Sequence, residues 1–150
     1  VVPHDAYGGS WRLFDAFARK GHFKLVTANL TDPADFAAAL ENKPKLVLIE
    51  TPSNPLLRIT DLSTSIAAAH AVGSLVVVDN TFLSPALQQP IEWGADLVVH
   101  STTKYINGHG DALGPLPRRD LGAGRLRPGL VACLRHGTRG NRRNTEHGVG

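Results

Sequence analysis

The chain of 150 residues is about one domain's worth of polypeptide, and its 42% hydrophobic content can build a core of mainly Leu, Val, Ala and Ile. A single cysteine, Cys133, excludes an intrachain disulfide and points to a reducing, cytoplasmic setting, and no apolar run approaches the roughly 20 residues that span a bilayer. The net charge of +3 averages two unlike parts: residues 115–150 hold eight Arg against two acids, whereas residues 1–114 hold eight basic and eleven acidic residues.

The opening Val1-Val2-Pro3-His4-Asp5 lacks the basic and apolar regions of a signal peptide, and with no Met in the sequence the chain is expected to begin inside a longer protein. Trp11 to Lys20 places Leu13, Phe14, Phe17 and Ala18 on one helical face, and Gly21 stops it. Lys24 to Val26 reads as a short strand. Thr31-Asp32-Pro33 starts the next helix, with Asp32 as cap, Pro33 in the first turn, and Phe36, Ala39 and Leu40 facing inward. Leu46-Val47-Leu48-Ile49 reads as a strand buried on both faces. Leu62 to Val72 is Ala-rich and helical, ended by Gly73. Leu75 to Val78 is a second buried strand, Ile91 to Trp93 closes a short helix before Gly94, and Leu97 to Val99 is a third buried strand. This alternation predicts an α/β fold: a mostly parallel sheet with helices on both faces.

In such sheets ligands bind beyond the carboxyl ends of the strands. Here those ends carry Glu50 with Ser53-Asn54, Asp79-Asn80, and Ser101-Thr102-Thr103-Lys104. An amine such as that of Lys104 can form an imine with a carbonyl compound, and a carboxylate such as Asp79 can hold a cationic ring nitrogen. Ser101 and Thr103 can receive a phosphate. By residue type alone, Lys104 also reads as an exposed loop lysine, Asp79 as a cap or turn former, and Ser101 and Thr103 as turn residues. No two His stand at metal-ligand spacing, and no metal site is expected.

The combination is more specific than its parts. Val76-Val77-Val78-Asp79-Asn80-Thr81-Phe82, followed by Ser101-Thr102-Thr103-Lys104-Tyr105-Ile106-Asn107-Gly108-His109-Gly110-Asp111, strongly resembles the Cys/Met-metabolism family of pyridoxal-phosphate (PLP) enzymes. The 25-residue spacing from Asp79 to Lys104 matches, as do Pro3-His4-Asp5-Ala6-Tyr7-Gly8-Gly9-Ser10 and Glu50-Thr51-Pro52-Ser53-Asn54-Pro55. The resemblance covers residues 1 to about 113 and implies part of the large cofactor-binding domain of the type I aminotransferase-like fold.

The resemblance also implies roles. Lys104 would hold the cofactor covalently and shuttle protons; Asp79 would keep the pyridine nitrogen protonated. Tyr7 would stack on the ring, Asn54 would contact its hydroxyl, and Ser101 and Thr103 would bind the phosphate. Arg12 is a candidate for holding a substrate carboxylate, or else a solvated helix arginine. Thr81-Phe82-Leu83-Ser84-Pro85-Ala86-Leu87-Gln88 and Pro55-Leu56-Leu57-Arg58 are most similar to members that join an activated homoserine ester to cysteine, giving cystathionine. Members that cleave by γ-elimination are the alternative. Those acting on methionine usually carry a cysteine beside the stacking tyrosine, where this chain has Gly9 and Ser10. The family implies a homotetramer built from dimers.

The resemblance ends at about residue 114. Residues 115–150 are Arg- and Gly-rich and are expected to be a disordered, non-family tail, arising from a reading-frame shift near residues 113–120. Arg clusters favour phosphate, but no aromatic residue follows Tyr105, so a nucleic-acid-binding arm is not expected. The family's remaining segments supply further substrate and cofactor contacts, so this chain is expected to show weak or absent activity by itself.

Overall fold

The computed structural model describes residues 1–106, residue 108 and the backbone of residues 130–134. Its elements in chain order are strand β1 (Val2–Pro3), helix α1 (Gly8–Arg19), β2 (Thr27–Ala28), α2 (Pro33–Leu40), β3 (Leu46–Glu50), α3 (Leu62–Ala71), β4 (Leu75–Asp79), a short α4 (Ser84–Leu87) and β5 (Leu97–Ser101). A kinked π-helical turn follows at Thr102–Ile106, and β6 spans Leu130–Leu134.

β3, β4 and β5 are parallel neighbours, and β6 pairs antiparallel with β5. β1 and β2 form a second parallel pair, joined to β3 by hydrogen bonds from Leu48 N to Val1 O (2.9 Å) and from Val1 N to Leu46 O (2.7 Å). Parallel pairing requires a crossover between strands. α3 provides one between β3 and β4: Asp61 caps it by accepting from Thr64 N, and Gly73, at φ +81°, closes it.

One sheet face carries Val47, Ile49, Val76, Val78 and Val98, all buried in a single cluster with Phe36, Ala39 and Leu40 of α2 and Leu62, Ile66 and Ala69 of α3. The helical contributors recur at three- and four-residue spacing, the period that places them on one face. Asp32 caps α2 as the sequence predicts, accepting from Ala34 N and Asp35 N. Asp96 Oδ2 accepts from Val76 N at 2.8 Å and lies 2.9 Å from His70 Nε2. It ties the end of α3 and the start of β5 to β4.

Several expectations are corrected. α1 begins three residues earlier than predicted and buries no residue; Leu13 is 51% and Phe17 40% exposed, so its apolar face is not part of the core. Phe14 and Phe17 instead make edge contacts with Phe23 and His22. The strand expected at Lys24–Val26 forms at Thr27–Ala28, because the bonds from Val2 N to Val26 O and from His4 N to Ala28 O set its register. β4 and β5 are fully buried on one face only: Val77 and Val99 on the other face are half-buried, and Leu75 is exposed. The helix expected at Ile91–Trp93 is a turn over residues 90–94, in which Trp93 N and Gly94 N bond carbonyls three residues back. Gly94, at φ +106°, carries the chain out of that turn. Within the expected disordered tail, Leu130–Leu134 is a strand, satisfying its backbone against β5. The rest of residues 115–150 lies outside the described residues.

Candidate active site

The register of the parallel strands assembles the site. Glu50 stands opposite Asp79, and Asp79 opposite Val99. Ser101 lies two residues beyond Val99 and therefore on the same sheet face. The last residues of β3, β4 and β5 thus present a carboxylate, a carboxylate and a hydroxyl side by side at the carboxyl edge of the sheet. That is where open α/β sheets bind ligands.

A cavity of about 480 Å³ opens at this edge, lined by Tyr7, Glu50, Asn54, Asp79, Thr81, Phe82, Ser101, Thr103, Lys104 and Tyr105. Such a volume suits a small-molecule cofactor. Six residues singled out in the sequence, Tyr7, Asn54, Asp79, Ser101, Thr103 and Lys104, converge here from positions up to 97 residues apart. Lys104 is exposed at the kink that follows β5. Arg12, also exposed, does not line the cavity.

Side chains beyond those expected build the pocket. Thr81 Oγ1 donates to Asp79 Oδ1 at 2.5 Å and accepts from Ser101 N at 2.9 Å, and Thr81 N also donates to Asp79 Oδ1. One threonine therefore orients the Asp79 carboxylate and couples it to the end of β5. The local signal is a threonine two residues after an aspartate, a common turn motif; the bond to Ser101 is not visible in sequence. Glu50 is buried, and its two oxygens accept from Tyr7 N (2.9 Å) and Asn54 N (3.0 Å). Burial pushes its carboxyl above the ordinary glutamate range; the bond from Tyr7 pulls it back, and the neighbouring Asp79 raises it further. Ser53 Oγ donates to Asp5 Oδ2 at 2.7 Å and accepts from Arg58 N at 3.2 Å, binding the loop after β3 to the segment before α1. Among the described residues no group of three or more His, Cys, Asp or Glu is placed to hold a metal ion, and no helix is long and apolar enough to cross a membrane.

The model of the family described as Cys/Met metabolism PLP-dependent enzyme matches residues 1–116. The chain belongs to that family. Its similarity to cystathionine gamma-synthase of Escherichia coli is 56% identity over 113 residues, covering 75% of this chain and 29% of the relative. It is 45% identical over 109 residues to cystathionine gamma-lyase of Dictyostelium discoideum, covering 73% of this chain and 28% of that protein. The solved cystathionine gamma-synthase of Xanthomonas oryzae pv. oryzae, in complex with cystathionine, superposes with a TM-score of 0.77 at 63% identity. It covers 89% of this chain and 31% of that structure. The chain therefore spans just under a third of the length of these relatives. The type I fold expected from the sequence is the fold of these neighbours.

Proposed function

We propose that this chain is the cofactor-binding portion of a PLP-dependent transsulfuration enzyme that replaces the γ-substituent of an activated homoserine ester with cysteine, giving cystathionine. The observation that carries the reading is one cavity, at the carboxyl edge of a parallel sheet, whose lining brings together the Lys104 amine, the Asp79 carboxylate, the Ser101 and Thr103 hydroxyls, Asn54 and Tyr7. This donor set fits the cofactor: Lys104 offers an amine to its aldehyde, Asp79 a carboxylate to its pyridinium, Ser101 and Thr103 hydroxyls to its phosphate, Asn54 an amide to its ring hydroxyl, and Tyr7 an aromatic face. Bound there, PLP supplies an electron sink for charge developing on the substrate.

The protein's own part is binding and proton transfer. The Lys104 amine removes and returns protons on the substrate's Cα and Cβ, so it has to stand within reach of both. The Asp79 carboxylate holds a proton on the ring nitrogen, and Thr81 keeps that carboxylate oriented. Such preorganised charge commonly contributes several kcal/mol to a rate. The likeness to synthases at 56% and 63% identity favours replacement; γ-elimination is the second reading, supported by the 45% identity to a gamma-lyase.

The family match ending at residue 116 supports a boundary near residue 114, with 1–114 as the partial PLP-binding domain and 115–150 as a separate tail. Amino-acid substrates, a cytoplasmic location and a homotetramer of the longer protein complete the reading.

The test is near-visible absorption of the purified chain after adding PLP. The expected result is a protonated-imine band that survives dialysis in the wild type and is lost in Lys104→Ala. No band in the wild type would end the cofactor reading for this polypeptide.

A further inference from the structure

Glu50 is a buried acid whose surroundings call for an explanation. It is only 6% exposed, yet among the described residues no Lys, Arg or His lies within ion-pair distance of it. What faces it is acidic or neutral: Asp79 from β4, Asp5 from the segment before α1, and Tyr7. Lys104 and Tyr105, from the turn after β5, line the same cavity. An unpaired buried carboxylate is costly unless hydrogen bonds compensate. The compensation here is two backbone donors on two different oxygens, Tyr7 N at Oε2 and Asn54 N at Oε1.

These donors come from two separate segments of the chain, the one leading into α1 and the loop after β3. Tyr7 stands at the start of α1, which has no side-chain cap bond of its own. Asn54 sits in the loop after β3 that contains two cis X-Pro peptides. A carboxylate offers two equivalent acceptors, whereas a carboxylic acid keeps one good acceptor and turns the other oxygen into a hydroxyl. The neutral acid therefore satisfies both amides less well than the anion does.

We propose that Glu50 is a positioning residue that fixes Tyr7 and Asn54 as a pair, so that its protonation loosens both of these cavity-lining segments together. The functional meaning of this coupling rests on the PLP reading, in which Tyr7 and Asn54 touch the cofactor; the coupling itself does not. Its consequence is a cofactor affinity that falls with pH as Glu50 gains its proton. The raised titration of Glu50, caused first by burial, moves that fall above the ordinary glutamate range.

The experiment uses the cofactor-free chain. Proton–nitrogen and carboxyl-carbon NMR spectra from about pH 4 to about pH 8 cover the span over which perturbed glutamates titrate. The amide signals of Tyr7 and Asn54 and the carboxyl carbon of Glu50 are expected to share one midpoint. In Glu50→Gln, which has a single acceptor oxygen, both titrations should vanish and hydrogen exchange at one of the two amides should rise by about tenfold. Separate midpoints, no movement, or titrations that persist in Glu50→Gln would overturn the proposal. Where Glu50→Gln fails to fold, the three wild-type midpoints decide alone. The near-visible PLP band is recorded over the same pH range. Amides that move together with no band at any pH uphold the positioning role and end the cofactor reading. A band whose PLP affinity stays constant through the Glu50 midpoint overturns the coupling to the pocket.

Discussion

Gly9 illustrates how the pocket is set by single residues. A Cβ built there lies 2.6 Å from Tyr7 Cε1 and within 3.3 Å of two further ring atoms. The tyrosine ring can occupy its place on the cavity only because residue 9 has no side chain. Gly9→Ala is expected to turn the Tyr7 ring and to weaken PLP binding about tenfold, as a loss of roughly 1.4 kcal/mol would. Titration of the near-visible band with PLP reads this directly, and an unchanged dissociation constant would show that Tyr7 does not contribute. Thr81 is the complementary case. Its hydroxyl donates to Asp79 and accepts from Ser101 N, so it ties the carboxylate to the end of β5.

Among the elements, α1 and β3 make opposite demands on their apolar residues. Ile49 in β3 has no exposed surface and packs in the central cluster, so Ile49→Ala removes buried methylenes and leaves a cavity. The expected loss is about 2–5 kcal/mol. Leu13 in α1 is half exposed, and Leu13→Ser is expected to change stability by no more than about 0.5 kcal/mol. Urea unfolding of both variants checks the contrast; a large loss at Leu13 would mean that α1 belongs to the core. The helical period of α1 correctly locates the helix, but period alone does not say whether a partner element covers the face it defines. α2 has the same kind of pattern and buries Phe36, Ala39 and Leu40, because it shares a cluster with the sheet.

Across the whole molecule, two buried titrating groups pull stability in opposite directions. Glu50 has a raised carboxyl pKa in the fold, so its contribution is full below the ordinary glutamate range and is lost as pH rises through the raised value. His100, buried on β5, has its pKa lowered chiefly by burial. Its contribution is full above the ordinary histidine range and is lost as pH falls through the lowered value. The stability of the wild type relative to Glu50→Gln is therefore expected to decline as pH rises, and relative to His100→Gln to decline as pH falls. Denaturant midpoints of the three chains at a series of pH values test both signs. Parallel curves would remove the titrations from the balance.

The sequence by itself determined the alternation of helices and strands from α1 to β5 in outline, the cap at Asp32, the family and the six cavity residues it singled out. Each of these is local: a period, a cap or a motif read over a few neighbouring positions. Tertiary structure decided everything that depends on residues far apart meeting. The parallel register put Glu50, Asp79 and Ser101 on one sheet face, and a backbone donor 43 residues away found the Glu50 carboxylate. The apolar face of α1 was left outside the core, because no described element packs against it closely enough to bury it. A hydrogen bond or a buried contact belongs to a pair, and a single chain position carries only half of it.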